Sequence, residues 1–499
     1  MEASDGDNNA ICFPYDVLLD ILGRLPQRTL AGCRCVCRAW QSIVDAHDLL
    51  LPYYFPGHDF PGIFLTTVGS PSVSSFFGPL SSCKRQYRKP SSRRPVYPHK
   101  AIIRNSCNGL LFLEDQGNYY VFNPATAWYV RLPWPSTKWR IGAMSLAFDP
   151  AVSLHYDVFL FPEDMLAEEW LSARHKKHDN DVPSLKQLQP EGVDEPKKVL
   201  PLEVYSSRTG QWEFREFTPG RCAPSHLYDV VARSSFCYER MSWPSDRYER
   251  MFWSSDYWRG SLYMHSRKNI LVILRSSERT YDMVQLPGET CSAASMYPMP
   301  KNSVLGSYDR GVHYVTINKQ LQLQVWMLTE SSDGQLDWTL AHNANVKPHS
   351  DLIKFSILKP TMVKWGAIRS SGGPVNLIED DGYGNVEEDR AGAYDSDSSW
   401  NSDEDNFIDV PQGSENLVQS TWCADSRIIG FHPHKNALIL LVHWAVMVYH
   451  LDTSRMQFLG YKCKLMNDPM EHCYVNCFIY RACYAKMLPT GKKISEFLE

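Results

Sequence analysis

The feature that most limits how this 499-residue chain can fold is a phrase that recurs along it: a short apolar strand, a polar turn and an aromatic return. Tyr119 to Phe122 runs into Asn123-Pro124-Ala125-Thr126 and Trp128, and Leu202 to Tyr205 meets Ser207-Arg208-Thr209-Gly210 and Trp212. Ile270 to Leu274 leads through Ser276-Ser277-Glu278-Arg279-Thr280 to Tyr281, Leu321 to Leu328 through Ser332-Asp333-Gly334 to Trp338, and Val446 to Leu451 into Asp452-Thr453-Ser454. Small polar residues between β-branched and aromatic runs are hairpin signals. Hairpin units repeated in this way are most economically arranged as the blades of a propeller, where radial repetition leaves few exposed edges. The composition, with 15 Trp and 26 Tyr, leans the same way, because flat side chains pack well on pleated surfaces.

The spacing is uneven, so insertions between blades are expected. Kelch repeats need several Gly-Gly pairs and there is only Gly372-Gly373; WD40 repeats need Trp-Asp pairs and there are none; the dense leucine spacing of a solenoid is also missing. The longest apolar run, Ala437 to Tyr449, is interrupted by His443 and falls short of the ~20 residues of a membrane helix, so it reads as two paired buried strands.

The front of the chain has a different period. Pro14 suits a first helical turn and Asp16 sits near the positive end of the dipole. Leu18, Ile21, Leu22 and Leu25 follow at i, i+3, i+4 and i+7, giving an amphipathic helix closed before Pro26. The link Pro26 to Leu30 starts its own turn at Thr29, and Val36, Trp40, Ile43 and Val44 form a second apolar stripe. Three short helices cannot bury all this surface against one another, so a partner surface is implied. The plain alternative is that the module packs only against its own downstream domain. Cys33, Cys35 and Cys37, at alternate positions on a helix, point too far apart to hold one metal ion.

Phe13-Pro14, Asp16, Leu18, Asp20-Ile21-Leu22, Arg24-Leu25-Pro26, Thr29-Leu30, Cys33-Arg34, Val36-Cys37-Arg38 and Trp40 resemble the F-box in order and spacing. The resemblance implies a three-helix module that docks onto a Skp-type adaptor, which binds a cullin scaffold carrying the ubiquitin-transfer machinery; the chain itself then needs no catalytic residue and no cofactor. By motif position, adaptor contact falls to Pro14, Leu18, Ile21, Leu22, Leu25, Pro26, Leu30, Val36, Cys37 and Trp40. Some of these serve as internal core instead, and Trp40 is the one expected to do both.

Further on, Cys107-Asn108-Gly109-Leu110-Leu111, Asn123-Pro124-Ala125-Thr126, Leu132-Pro133, Leu146-Ala147-Phe148-Asp149-Pro150 and His155-Tyr156-Asp157-Val158 look like the opening of the F-box-associated domain of plant F-box proteins. The expected fold class is therefore multidomain, α plus all-β. It comprises a disordered tail (1–12), an F-box (13–52), a Pro/Ser-rich irregular linker (53–100) and a β-propeller-like domain (101–490). That domain carries a polar insertion (162–198) and a disordered acidic insertion (378–417). The function expected is substrate receptor of an SCF-type ubiquitin ligase, the target read by the β domain; the alternative is an F-box binding protein that delivers nothing for ubiquitination.

Charge supports neither nucleic-acid nor membrane binding. The net −5 arises from residues 379–409, where 12 acidic residues face Arg390 alone, and removing that −11 leaves +6. Lys84 to Arg104 is a basic run, read as solvated surface or a contact with the acidic insertion rather than a phosphate-binding patch, and Ser402, followed by three acids, suits an acid-directed kinase. Residues 238–246 are nearly repeated at 248–256, as expected of a tolerant loop. The acidic amino terminus lacks a secretory core, and 14 scattered cysteines fit a reducing compartment, so cytoplasm or nucleus is expected. No phosphate-cradling glycine loop, nucleophile elbow or zinc-protease motif occurs, and His432-Pro433-His434 and Cys473 to Cys477 lack companion ligands, so no metal site is expected.

Overall fold

A computed structural model describes residues 14–47, 49–50, 55, 60–68, 73–79, 98, 101–136, 141–150, 152–162, 199–223, 255–266, 270–287, 303–308, 311–318, 320–349, 365–368, 406–408, 427–442, 445–461, 474–485 and 492–493. The acidic run up to residue 405, Ser402, the basic run before Arg104 apart from Pro98 and residues 101–103, the polar insertion after Pro162 and most of the 238–256 repeat lie outside them.

Three helices open the chain, α1 (Tyr15–Gly23), α2 (Gln27–Cys33) and α3 (Arg38–Ala46), followed by β1 (Gly62–Val68) and β2 (Val73–Pro79). Four antiparallel meanders come next. The first holds β3 (Ile102–Cys107), β4 (Leu110–Asp115), β5 (Asn118–Asn123) and β6 (Trp128–Arg131). The second holds β7 (Ile141–Ala147), β8 (Asp157–Pro162), β9 (Leu200–Ser206) and β10 (Gln211–Pro219); the third β11 (Ser255–Trp258), β12 (Ser261–Ser266), β13 (Ile270–Arg275) and β14 (Thr280–Gln285). The fourth holds β15 (Ser303–Tyr308), β16 (Gly311–Ile317), β17 (Gln322–Glu330) and β18 (Leu336–Asn345). After β19 (Trp365–Ile368) and β20 (Phe407–Ile408), a fifth meander runs β21 (Arg427–Phe431), β22 (Ala437–Val442), β23 (Ala445–His450) and β24 (Arg455–Tyr461). β25 (Tyr474–Tyr480) and the short β26 (Lys492–Lys493) end it.

The sixth blade is assembled from both ends of the chain. β25 pairs with β1 from Gly62↔Tyr480 to Val68↔Tyr474, β1 pairs with β2, and β19 adds outside β2. The innermost strands then touch in a closed ring, β3 on β7, β7 on β11, β11 on β15, β15 on β21, β21 on β25 and β25 on β3. This is a six-bladed propeller whose closure is non-covalent. Two expectations are corrected here. Gly62–Val68 and Val73–Pro79, within the stretch expected to be a linker with only a short extended piece at 62–65, are propeller strands, and Phe407–Ile408, inside the stretch expected to be disordered, pair with Gln457 and Met456 of β24.

Middle strands of the blades such as β13 and β22 are buried on both faces, which is why their sequences are apolar without alternation. In β13, Val272 and Leu274 enter the core shared with the second blade, while Leu271 and Ile273 enter the core shared with the fourth. In β22, Ile439 and Leu441 face the sixth blade, and Leu438, Leu440 and Val442 the fourth. Near the axis the contacts turn polar. Asn105 Nδ2 donates to Ser255 Oγ (3.0 Å), Asn105 Oδ1 accepts from the Leu146 N–H (3.0 Å), and Ser145 Oγ lies 3.0 Å from Ser255 Oγ. Asp256 accepts from the Ser307 N–H, and burial pushes its carboxyl up.

The recurring sequence phrase is the outer hairpin of a blade. Residues 124–127, 207–210, 276–279, 331–335 and 451–454 link the third and fourth strands of five blades. In each, the fourth residue is left-handed: Ala127, Gly210, Arg279, Gly334 and Ser454, with φ between 54° and 79°. Asn-Gly at 108–109 forms the inner hairpin of the first blade with both residues at positive φ (44° and 85°), the geometry for which that dipeptide is selected.

Candidate functional site

The helical module is held together by an inward stripe. Pro14 caps α1 in extended conformation and its carbonyl accepts the Leu18 N–H at 3.0 Å. Leu18, Leu22, Leu30, Ile43 and Val44 are buried. Arg34, at the end of α2, makes a two-pronged bond to Asp45 of α3 (2.6 and 2.9 Å), and Tyr15 Oη lies 2.8 Å from His47 Nε2. The bond to Asp45 raises the Arg34 pKa, and Asp149 of the second blade adds to it.

The module also packs on the body. Its buried residues share one apolar cluster with Leu50, Phe55, Cys107, Leu110, Phe148, Tyr156, Cys483 and Ala485, with Trp40 and Leu154 half-buried against it. Arg481 stacks over the Phe55 ring at 3.9 Å. These body residues lie where the first strand of a blade hands over to the second, so the module sits on the face of those handovers, such as 108–109 and 148–156. The connections 163–199, 220–254 and 286–302 leave from the opposite face.

Of the ten residues expected to touch an adaptor, Leu18, Leu22 and Leu30 are internal core, at 8%, 0% and 1% exposure. Leu25 and Trp40 are half-buried, whereas Pro14, Ile21, Pro26, Val36 and Cys37 are exposed. Val36 does not belong to the α3 stripe as its spacing suggested. The chain turns at residues 34–36, α3 starts only at Arg38, and Val36 is left 65% exposed. α2 likewise begins at Gln27, not Thr29, and Cys33, Cys35 and Cys37 fall at a helix end, in a turn and at a cap rather than along one helix. Tyr15 and Val17, also exposed, were missed, although Val17 stands one turn before Ile21 on the same face. Pro14, Tyr15, Val17, Ile21 and Val36 thus give the small module an apolar outer surface beside its core.

Elsewhere the chemistry is sparse. A cleft of about 280 Å³ on the module side of the second blade is lined by Asp149, His155, Asp157, Arg208, Glu213 and Arg215. Arg215 is tied to Asp157 (2.5 Å) and Glu213 (2.6 Å). Among the described residues no cluster of His, Cys, Asp and Glu could hold a metal, and no helix is long and apolar enough to cross a membrane.

The F-box domain family matches residues 11–51. F-box protein At5g07610 of Arabidopsis thaliana is 25% identical over 67% of this chain and 70% of its own length. F-box only protein 6 (27% identical) and putative F-box protein At5g52610 (25%), both of Arabidopsis thaliana, align over 29% and 30% of this chain but only 31% and 42% of their own lengths. Apo AztD from Citrobacter koseri superposes at a TM-score of 0.26 and 10% identity over 84% of this chain and 98% of that one, a likeness too slight to bear on fold or function. The F-box is the Skp-binding module of SCF complexes. With that domain at its front and these relatives, the chain is a plant F-box protein with a β-rich body.

Proposed function

We propose that this protein is the substrate-receptor subunit of an SCF-type ubiquitin ligase, acting in the cytoplasm or nucleus and contributing no catalytic group of its own. The observation that carries the reading is the division of the F-box surface. Leu18, Leu22 and Leu30 are spent on the internal core, while Val17 and Ile21, one turn apart on α1, and Val36 before α3 stay exposed and remain for a partner. Three aliphatic side chains exposed on so small a unit are what adaptor docking requires.

The propeller supports the second half of the reading. The strands β8, β10 and β14, which precede the long connections, end on the face away from the F-box, and a recognition surface on that face would not obstruct the ligase. Affinity capture with the tagged full chain from plant cells is expected to recover a Skp-type adaptor and a cullin, and the assembled complex to ubiquitinate a co-captured protein. Recovery of the intact chain with no adaptor would contradict the reading.

A further inference from the structure

The outer strands of the blades are unequally covered. β6 pairs with β26, β10 with β14, β19 meets β24, and β24 also pairs with β20. β18 pairs with β17 on its inner side, and no described residue is in register along its outer edge. At ten residues it is also the longest described strand. Natural sheets blunt such an edge with lysine, proline or brevity. β18 contains neither residue, and its single charge is Asp337.

The register shows which groups the edge offers. The Ser331 N–H donates to the Gln335 carbonyl at the hairpin end, and counting in twos from that pair puts Asp337 and Thr339 in bonded pairs with β17. Leu336, Trp338 and Leu340 then aim their backbone groups outward. The Trp338 N–H is already engaged by Asp337 Oδ1 at 2.7 Å, leaving Leu340 as the central outward donor with no partner among the described residues. Leu336 and Trp338 pack with Trp326 and Leu328 toward the third blade, and Leu340, in register with Trp326, is 42% exposed.

We propose that the outer edge of β18 is a strand-addition site that takes an extended, uncharged peptide segment of a partner protein, apolar at alternate positions to lie beside Trp338 and Leu340. A second copy of this chain fits less well. One strand pair of ten residues buries well under the ~1,200 Å² of a stable protein interface, whereas short peptides bind sheet edges by main-chain bonds over such lengths. The fourth blade lies across the six-membered ring from the first, where the F-box packs, so this site is separate from adaptor docking and stands whether or not an adaptor binds.

The test uses the full chain and a fluorescein-labelled peptide of alternating valine and threonine with a terminal lysine, titrated by anisotropy. Saturable binding is expected, weakened about tenfold or more by Leu340→Pro, which removes an outward donor but no ladder bond, and by Leu340→Lys should the proline variant unfold. Methylating alternate peptide nitrogens should weaken binding equally. The proposal is overturned by no binding at about 1 mM peptide, by equal binding of the methylated peptide, or by a concentration-dependent dimer that Leu340→Lys dissolves.

Discussion

Gly109→Val is expected to unfold the body. A Cβ at this position would lie 2.5 Å from the Arg481 carbonyl oxygen, which is backbone and cannot rotate away, and 2.5 Å from Cys483 Cβ, and the residue sits at φ +85°. The loss should exceed about 4 kcal/mol, combining left-handed strain with overpacking of a closed core. Gly210→Ala is the matched control. Its φ is +71°, but no heavy atom lies within 4 Å, so it should cost only about 1 kcal/mol. Urea unfolding followed by tryptophan fluorescence separates the two, and similar losses would mean that the segment after β25 does not close against the first blade. Asn123 reinforces that closure, donating to the Cys483 carbonyl at 3.0 Å across the sequence.

The second large effect is acid lability. Burial lowers the His265 pKa to about 4, its ring edge-on to Tyr314, and burial with the nearby charges of His434, Lys435 and His450 lowers His432 to about 3. Nδ1 of His432 accepts the His434 N–H, which requires an unprotonated nitrogen there. Both folded pKa values lie below the unfolded value near 6.5, so the unfolded chain binds protons first as the pH falls. The stability is therefore complete above pH 6.5 and is lost between 6.5 and about 4 for His265, and between 6.5 and about 3 for His432. At pH 5 each histidine should account for roughly 2 kcal/mol of loss. Unfolding free energies measured from pH 7.5 to 4.5 should fall less steeply in His265→Gln and His432→Asn, by that amount each; parallel curves for variants and parent would refute the assignment.

Both effects show how much was legible in the sequence. The outer hairpins could be read because their fourth turn residue and following aromatic are local. The inner runs Ile270 to Leu274 and Ala437 to Tyr449 were apolar enough to mark buried strands. The sixth blade was hidden, since its strands come from three distant stretches, β1 with β2, β19 and β25, and β1 and β2 lie among prolines and serines that imitate a linker. In the helical module the 3.6-residue period placed α1 well, but it could not say which side of the stripe the propeller would cover. Val36 was misjudged because the turn at residues 34–36 breaks the period just where the pattern looked continuous.

The most direct test of the adaptor reading is calorimetric titration of a purified Skp-type adaptor into the full chain and into Ile21→Asp/Val36→Asp. Both positions are exposed, so folding should be unchanged by circular dichroism. The account predicts at least about 100-fold weaker binding, since each substitution loses an apolar contact and strands a charge in the interface. Unchanged adaptor affinity in the folded double variant would contradict it.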